Sequence, residues 1–293
     1  MNKTDYKGIS AIIASTAIFG LYGVYSRLIG ISFGAFTQYW TRNFLVALVL
    51  FVVLVLNKKW KRIHPQDIKW FVFWILNGIG STVGIFVAFN NIPIGTAYFV
   101  FYSGIILAGC IAGRLLFHEI LDSLKIVSMV LSVIGLTFIY SFTTQGYHTI
   151  WIFLAFASGI CSGLWITSSK KLSHKYPTTQ MIFLDAASGF ALSLILALML
   201  RENFPTISFS VSWIGILLFA VSQLATEQLI IYGFRHTQAQ IGTLITPLEA
   251  VFGALFAFIF FKEVLSPTIL FGGFLIIIAM SLPSLNLSRK TTR

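Results

Sequence analysis

Apolar positions in this chain do not alternate, and they do not form narrow stripes. They fill near-continuous runs at roughly 8–29, 33–57, 70–90, 94–117, 122–140, 150–172, 178–200, 212–233, 238–261 and 267–284. A helix needs about 20 apolar residues to cross the hydrocarbon core, and a barrel strand needs about half that. The run lengths therefore predict ten helices, of which the fifth and tenth are short. The fold class is an all-α integral membrane protein with ten transmembrane helices. The connections are short, so no soluble domain is inserted. The N-terminal run lacks a small-residue cleavage site followed by a soluble domain, and it reads as a retained first helix rather than a signal peptide.

The runs repeat. At a shift of 143 residues Ala14-Ser15 falls on Ala157-Ser158, Gly20-Leu21 on Gly163-Leu164, Tyr22 on Trp165 and Ser26 on Ser169. At a shift of 144, Gly109 falls on Gly253, Phe117 on Phe261, Glu119 on Glu263 and Leu121 on Leu265. Residues 1–140 and 150–284 thus form two copies of a five-helix unit. A short extracytoplasmic connection is expected at 141–149 and a basic cytoplasmic tail at 285–293. Five is odd, so the copies lie in opposite orientations. Inverted repeats are an architecture of secondary transporters, which place the substrate between the halves near the midplane. A duplicated scaffold or channel has the same pattern.

Composition agrees with a lipid-solvated chain: 57% of residues are hydrophobic and 10% charged. The net charge of +11 would suggest nucleic acid in a soluble protein. Here most Lys and Arg lie in short loops and tails, where they act as orientation signals. With the N-terminus inside, the inward segments hold Lys3, Lys7, Lys58, Lys59, Lys61, Arg62, Lys69, Arg114, Lys125, Lys170, Lys171, Lys175, Arg235, Arg289, Lys290 and Arg293. Only Arg27, Arg42, Arg201 and Lys262 remain outside. Both termini are therefore expected in the cytoplasm. Cys110 and Cys161 sit inside apolar runs and do not suggest a disulfide framework.

A charge in the hydrocarbon core costs several kcal/mol, so polar residues within spans are unlikely lipid-facing choices and mark interior sites. Glu249 lies near the middle of the ninth run, two residues after Pro247, which is expected to kink the helix. Gly242, Thr246, Glu249 and Gly253 share one helical face that can line a cavity or receive another helix. Glu227 in the eighth run has Gln223 one turn before it, and the pair suits a proton, a cation, an ammonium group or a plain interhelical hydrogen bond. Arg42 in the second run and Asp185 in the seventh are symmetry mates of opposite charge. Arg42 can grip a carboxylate or phosphate, or pair with a protein acid as an outer gate, with Asp185 doing the matching work inside.

The third run carries Asn77, Gly80, Ser81, Gly84, Ala88 and Asn91 on one stripe, a cavity wall or a tight helix contact. Tyr98 and Tyr102 stand one turn apart in the fourth. With Tyr22, Trp40 and Trp165 they can form an aromatic lining suited to organic cations or planar substrates. Glu119 and Glu263 end their helices where the dipole disfavours an acid, so each is expected to serve the following loop or the next helix start.

No GxxxxGK phosphate loop is present, which argues against an ATP-driven pump. His64, His118, His148, His174 and His236 lack ligand spacing, so no metal or other cofactor is expected. No Ser/His/Asp set clusters on a membrane face, and no enzyme activity is expected.

Ten helices as five plus five, Gly20-Leu21-Tyr22 and Gly163-Leu164-Trp165, Arg42, and Pro247 leading to Phe261-Lys262-Glu263 resemble the drug/metabolite transporter superfamily in its EamA-like branch. The resemblance implies a bacterial or archaeal inner-membrane secondary carrier. Such carriers move small polar metabolites such as amino acids, purines, organic cations or S-adenosylmethionine, often by export and often with protons. It also implies a central cavity lined by the first, third, fourth, sixth, eighth and ninth helices. Carried onto this chain, that selects Tyr22, Asn77, Tyr98, Tyr102, Trp165, Glu227 and Glu249. Ser103 stands where the second half has Pro247, which leaves open whether the halves kink alike.

The expectation is an alternating-access carrier of a small, polar, amine-bearing or cationic solute. Glu249 and Glu227, with Gln223, are its acceptors for a substrate cation or a coupling proton. The lipid bilayer and a small molecule are its partners, and nucleic acid is not. A lipid flippase or scramblase and a non-transporting scaffold are the alternatives.

Overall fold

The computed structural model describes residues 3–58, 60–140, 148–203 and 206–290. Most of the connection expected at 141–149, and the side chains of the tail expected at 285–293, lie outside the described residues.

Among the described residues twelve α-helices build the ten spans. They are α1 (Lys3–Gly20), α2 (Tyr22–Ile29), α3 (Ala35–Leu56), α4 (Pro65–Phe89), α5 (Ile94–Phe117), α6 (Ser123–Ile139), α7 (Thr149–Ser173), α8 (Thr178–Met199), α9 (Val211–His236), α10 (Ala239–Ile245), α11 (Leu248–Phe261) and α12 (Pro267–Lys290). Eight segments are long and apolar enough to cross a membrane, counting α1 with α2 and α10 with α11 as one each. The shorter apolar helices Ser123–Ile139 and Pro267–Pro283 complete the ten. No strand occurs among the described residues.

Two of the ten runs are interrupted over one or two residues that keep right-handed helical dihedrals, and the sequence pattern marks only one. Span nine parts at Thr246-Pro247, as the proline predicts, because it removes a backbone donor and clashes with the preceding turn. Span one was expected to be continuous. It parts at Leu21, whose N–H returns to the Ile18 carbonyl at 3.0 Å. The counterparts of these spans do not break. The fourth (α5) and sixth (α7) are single helices. Ser103, in the place of Pro247, donates its hydroxyl to Phe99 O at 2.8 Å within an intact helix.

The packing follows the repeat. The second span lies on the seventh and the fifth on the tenth, each pair mapping onto itself. The first lies on the eighth as the sixth lies on the third. The fourth crosses the sixth as the ninth crosses the first.

The third-span stripe is a tight helix contact. A Cβ on Gly84 would come within 2.8 Å of Ser158 Cβ in α7, and one on Gly80 within 3.2 Å of Cys161 Sγ. The phenyl rings and aliphatic side chains on the outside, such as Leu56, Phe153, Val221 and Phe274, are exposed, as a lipid-facing belt requires.

One end of the bundle carries Lys7, Lys58, Lys61, Arg62, Lys69, Arg114, Lys125, Lys170, Lys171, Lys175 and Arg235, and we call it the basic end. It is closed by polar contacts. Asp67, at the start of α4, accepts from Lys175 Nζ at 2.8 Å and from the Tyr176 hydroxyl at 2.9 Å. The Asp67 carboxylate thereby holds the Lys175 ammonium above the ordinary lysine range.

Candidate functional site

The first span crosses the ninth at Gly20, beside the interruption at Leu21 and about a turn and a half beyond the one at Thr246-Pro247. A Cβ on Gly20 would lie 2.7 Å from Phe252 Cβ and 2.9 Å from Gly253 N, so only glycine permits the approach. Between this crossing and the first half of α5, towards the end opposite the basic one, lies a cavity of about 410 Å³. Its walls are α2, α11, the first half of α5, the end of α6 and the start of α12. This falls within the range of small-molecule sites, about 300–1,000 Å³.

Glu249 lines the cavity together with Tyr22, Tyr98, Tyr102 and Tyr140, and Glu263 is a second lining carboxylate. Pro247 places Glu249 in the first turn of α11, where the Glu249 and Ala250 N–H groups return to Thr246 O and Pro247 O at 3.1 and 3.0 Å. Tyr98, Tyr102 and Tyr140 stand nearly parallel. Tyr98 and Tyr140 are 5.6 Å apart at 18°, and Tyr102 and Tyr140 are 6.4 Å apart at 7°. Three ring faces beside one carboxylate suit a compact cation.

Tyr140 ends α6 and escaped the sequence reading. It closes the fifth apolar run, where a tyrosine reads as an interfacial anchor. At the mouth Arg27 pairs with Glu263 and lies 4.4 Å from the Phe261 ring centroid. Both residues sit at span ends, and the sequence gives no sign that they pair.

The other expected site residues form a second cluster behind Tyr22 and are not among the cavity's lining residues. Gln223 Nε2 donates to Asn43 Oδ1 at 3.0 Å and to Glu227 Oε1 at 2.7 Å. Arg42 is buried without an ion pair among the described residues. Its guanidinium lies against Phe219 at 3.9 Å, Tyr39 at 4.9 Å and Tyr22 at 5.9 Å. Arg42 Nε, Gln223 Oε1 and Glu227 Oε2 are buried with no hydrogen-bond partner among the described residues.

Asp185 accepts from Trp165 Nε1 at 3.1 Å, and Trp165 stacks on Trp74 at 6.0 Å and 8°. Asn77 donates to its own helix, to Phe73 O at 2.8 Å. Tyr22 joins the two regions. One side of it lines the cavity, and its hydroxyl meets Thr226 Oγ1 at 2.7 Å, one position from Glu227. Glu249 and Glu227 thus occupy different sites rather than one shared pocket.

Glu119 and Glu263 also differ from expectation. Glu119 accepts from Ala239 N at 2.7 Å and Gln240 N at 3.0 Å, so it caps the ninth span rather than the helix that follows it. A cap that the sequence did not show is Glu202, which accepts from Thr37 N at 2.6 Å and Phe36 N at 3.2 Å.

Fold and cavity together define a multi-pass membrane protein of two inverted five-helix repeats, with a solute-sized chamber between spans from both halves. The EamA-like transporter family model matches residues 6–141 and 149–285, one match to each repeat. The chain belongs to the EamA-like transporter family, within the drug/metabolite transporter superfamily, whose members are membrane transporters and not, in general, enzymes. No curated protein matches it in sequence. Among similar solved structures, one described as "Crystal structure of protein" superposes with a TM-score of 0.80 at 14% identity. The match covers 96% of this chain and 98% of that one, and it supports the fold alone.

Proposed function

We propose that this chain is an alternating-access secondary transporter. It moves a small polar solute carrying an amine or other cationic group across the cytoplasmic membrane, with both termini on the cytoplasmic side. The observation that carries this reading is the cavity of about 410 Å³ with Glu249 among tyrosine rings on its wall. A half-buried carboxylate within a span, with no basic partner among the described residues, attracts a cation, and the ring faces add to that attraction. Arg27, the cation at the mouth, is held by Glu263, so it does not cancel Glu249.

Residues of the second cluster support the site from behind. Arg42 packs on the back of Tyr22, and Gln223 and Glu227 hold Asn43 and the eighth span in register. The orientation rests on the basic end facing the cytoplasm, which puts the cavity mouth outside. Glu249 serves equally a proton that exchanges with the solute and a solute moving down its own gradient.

The test is flux in liposomes that contain only this protein, loaded with a mixed panel of small amines, quaternary ammonium ions and amino acids. Their contents are read by mass spectrometry against empty liposomes. Selective loss of cationic members, abolished by Glu249→Gln, is the expected result. Loss that is the same for wild type and Glu249→Gln sinks the assignment of Glu249. Movement of a fluorescent lipid between leaflets, with no solute flux, favours a lipid carrier.

A further inference from the structure

The two ends of the molecule carry the same latch in two states of engagement. At the basic end α5 finishes on Phe117, turns through left-handed His118 (φ 54°) and presents Glu119, whose N–H returns to Gly113 O at 3.0 Å. At the mouth α11 finishes on Phe261, turns through left-handed Lys262 (φ 59°) and presents Glu263, whose N–H returns to Ala257 O at 3.4 Å. Each glutamate meets a cation from the end of a repeat's first span. Lys170 pairs with Glu119 at 3.2 Å and lies 4.9 Å from the Phe117 ring centroid. Arg27 pairs with Glu263 and lies over Phe261 in the same way. Arg27 and Lys170 are themselves symmetry mates, 143 residues apart.

The third partner differs. Glu119 also receives the N–H groups of Ala239 and Gln240, the first turn of span nine, and Lys170 donates to Thr237 O at 2.8 Å. The counterpart of Ala239 is Gly95, in the first turn of α5. That turn lines the open cavity beside Glu263. The Lys170–Glu119 side chains are 18% and 7% exposed, and the Arg27–Glu263 side chains 54% and 46%. One latch is shut and buried, and the other is wet.

We propose that Glu263 is the outer member of a two-ended latch, which closes the mouth by receiving the α5 first turn at Gly95, as Glu119 receives Ala239. The moving arm is α2 with α11, tied together by Arg27 to Glu263 and Phe261. Its hinges are the breaks at Leu21 and Thr246-Pro247. Span nine below the hinge, α10, stays fixed to the basic end while the mouth closes, and the basic latch then opens in its turn. That alternation rests on the transporter reading, but the capping exchange at the mouth does not.

The two latches are unequal. At the basic end the buried Lys125 ammonium adds bonds to Ile120 O at 2.7 Å, Gln238 Oε1 at 2.8 Å and Gln240 Oε1 at 2.7 Å. Its counterpart at the mouth is Ile269, 144 residues on. The free protein therefore rests with the basic end shut and the mouth open.

Gly23 is the reporter. It lines the cavity on α2, and a Cβ there meets nothing within 4 Å. The full chain with Cys110→Ala, Cys161→Ala and Gly23→Cys is placed in nanodiscs and treated with a membrane-impermeant methanethiosulfonate ammonium reagent. Labelling is expected to be fast in this protein and equally fast with Glu263→Gln added. With Glu119→Gln or Lys170→Met added it is expected to slow about fivefold, because weakening the basic latch shifts the population towards a closed mouth. Adding Glu263→Gln to either slow variant is expected to restore fast labelling. Melting temperatures confirm that each variant is folded, and Lys170→Met serves alone if Glu119→Gln is not.

Labelling that never slows, or that stays slow in the double variants, overturns the proposal. A restored labelling pattern in a protein that moves no solute keeps the latch and sinks the carrier reading. Flux without any labelling response does the reverse.

Discussion

The fourth and sixth spans and the first and ninth spans are the same pair of elements in the two repeats, and they have been built differently. Where the fourth crosses the sixth, three glycines bring backbones together over a long stretch. A Cβ on Gly104 would lie 2.6 Å from Phe156 O, one on Gly163 would lie 2.7 Å from Ile105 O, and one on Gly159 would collide with the Phe101 carbonyl. Both helices are unbroken. Where the first crosses the ninth, close approach is confined to Gly20 against Phe252 and Gly253, and a Cβ on Gly253 would have only Gly20 O, at 3.9 Å. Span one is interrupted at Leu21 beside that contact, span nine at Thr246-Pro247 about a turn and a half before it, and the cavity lies around them. One crossing is a fixed seam, and the other is a pivot with a chamber. Identical topology yields different mechanics because close glycine contacts and a continuous backbone hydrogen-bond ladder remove freedom that a proline break restores.

The comparison breaks most visibly at the seam. Gly159→Leu should cost more than about 3 kcal/mol, since a backbone carbonyl cannot move aside, whereas Gly253→Ala should stay within about 0.5 kcal/mol. Thermal melting in one detergent reads both. Equal effects would mean that the two crossings are equivalent.

The latches should separate next. Lys170→Met leaves Glu119 buried without its cation and should cost about 1–3 kcal/mol, while Arg27→Met at the exposed pair should cost less than about 1 kcal/mol. Denaturant or thermal melts check the order.

Pro247→Ala is smaller again in stability and larger in function. It lets α10 and α11 join, so melting should hold or rise while flux of any transported solute falls about tenfold, as expected of a hinge change. Asn77→Ala should do least, about 0.5 kcal/mol or less with flux unchanged, because its amide serves only its own helix.

The spans, the repeat and the charge bias are legible in the sequence because bilayer thickness fixes the length of an apolar run and loops must carry the basic residues. Pro247 announces its break for the same elementary reason: it lacks an N–H. Leu21 does not. Its interruption follows Gly20, whose partners Phe252 and Gly253 lie more than 200 residues on, so the local pattern does not set this glycine apart from others in the spans.

The partition of polar residues into two sites was not legible either. A helix that is apolar all round offers no periodic signal for which side faces a chamber. Glu227, Gln223, Asn77 and Trp165 therefore looked the same as Glu249 and Tyr102, although the structure puts only the latter pair on the cavity. Arg27 and Glu263 look like ordinary interfacial charges until their alignment with Lys170 and Glu119 is laid over the contacts.

The central claim is that Glu249 makes the cavity a site for cations. Its most direct test is a thermal-shift screen of the purified protein and its Glu249→Gln variant. The panel holds small amines, quaternary ammonium ions, amino acids, purines, S-adenosylmethionine and matched anions. A ligand that binds only the folded state raises the melting temperature by mass action, about 2.7 kcal/mol of added stability at a hundred times its Kd. The account predicts shifts with cationic compounds that vanish in Glu249→Gln while that variant still melts cooperatively. Shifts confined to anions and lost in Arg42→Met, or cation shifts that survive Glu249→Gln, would contradict it.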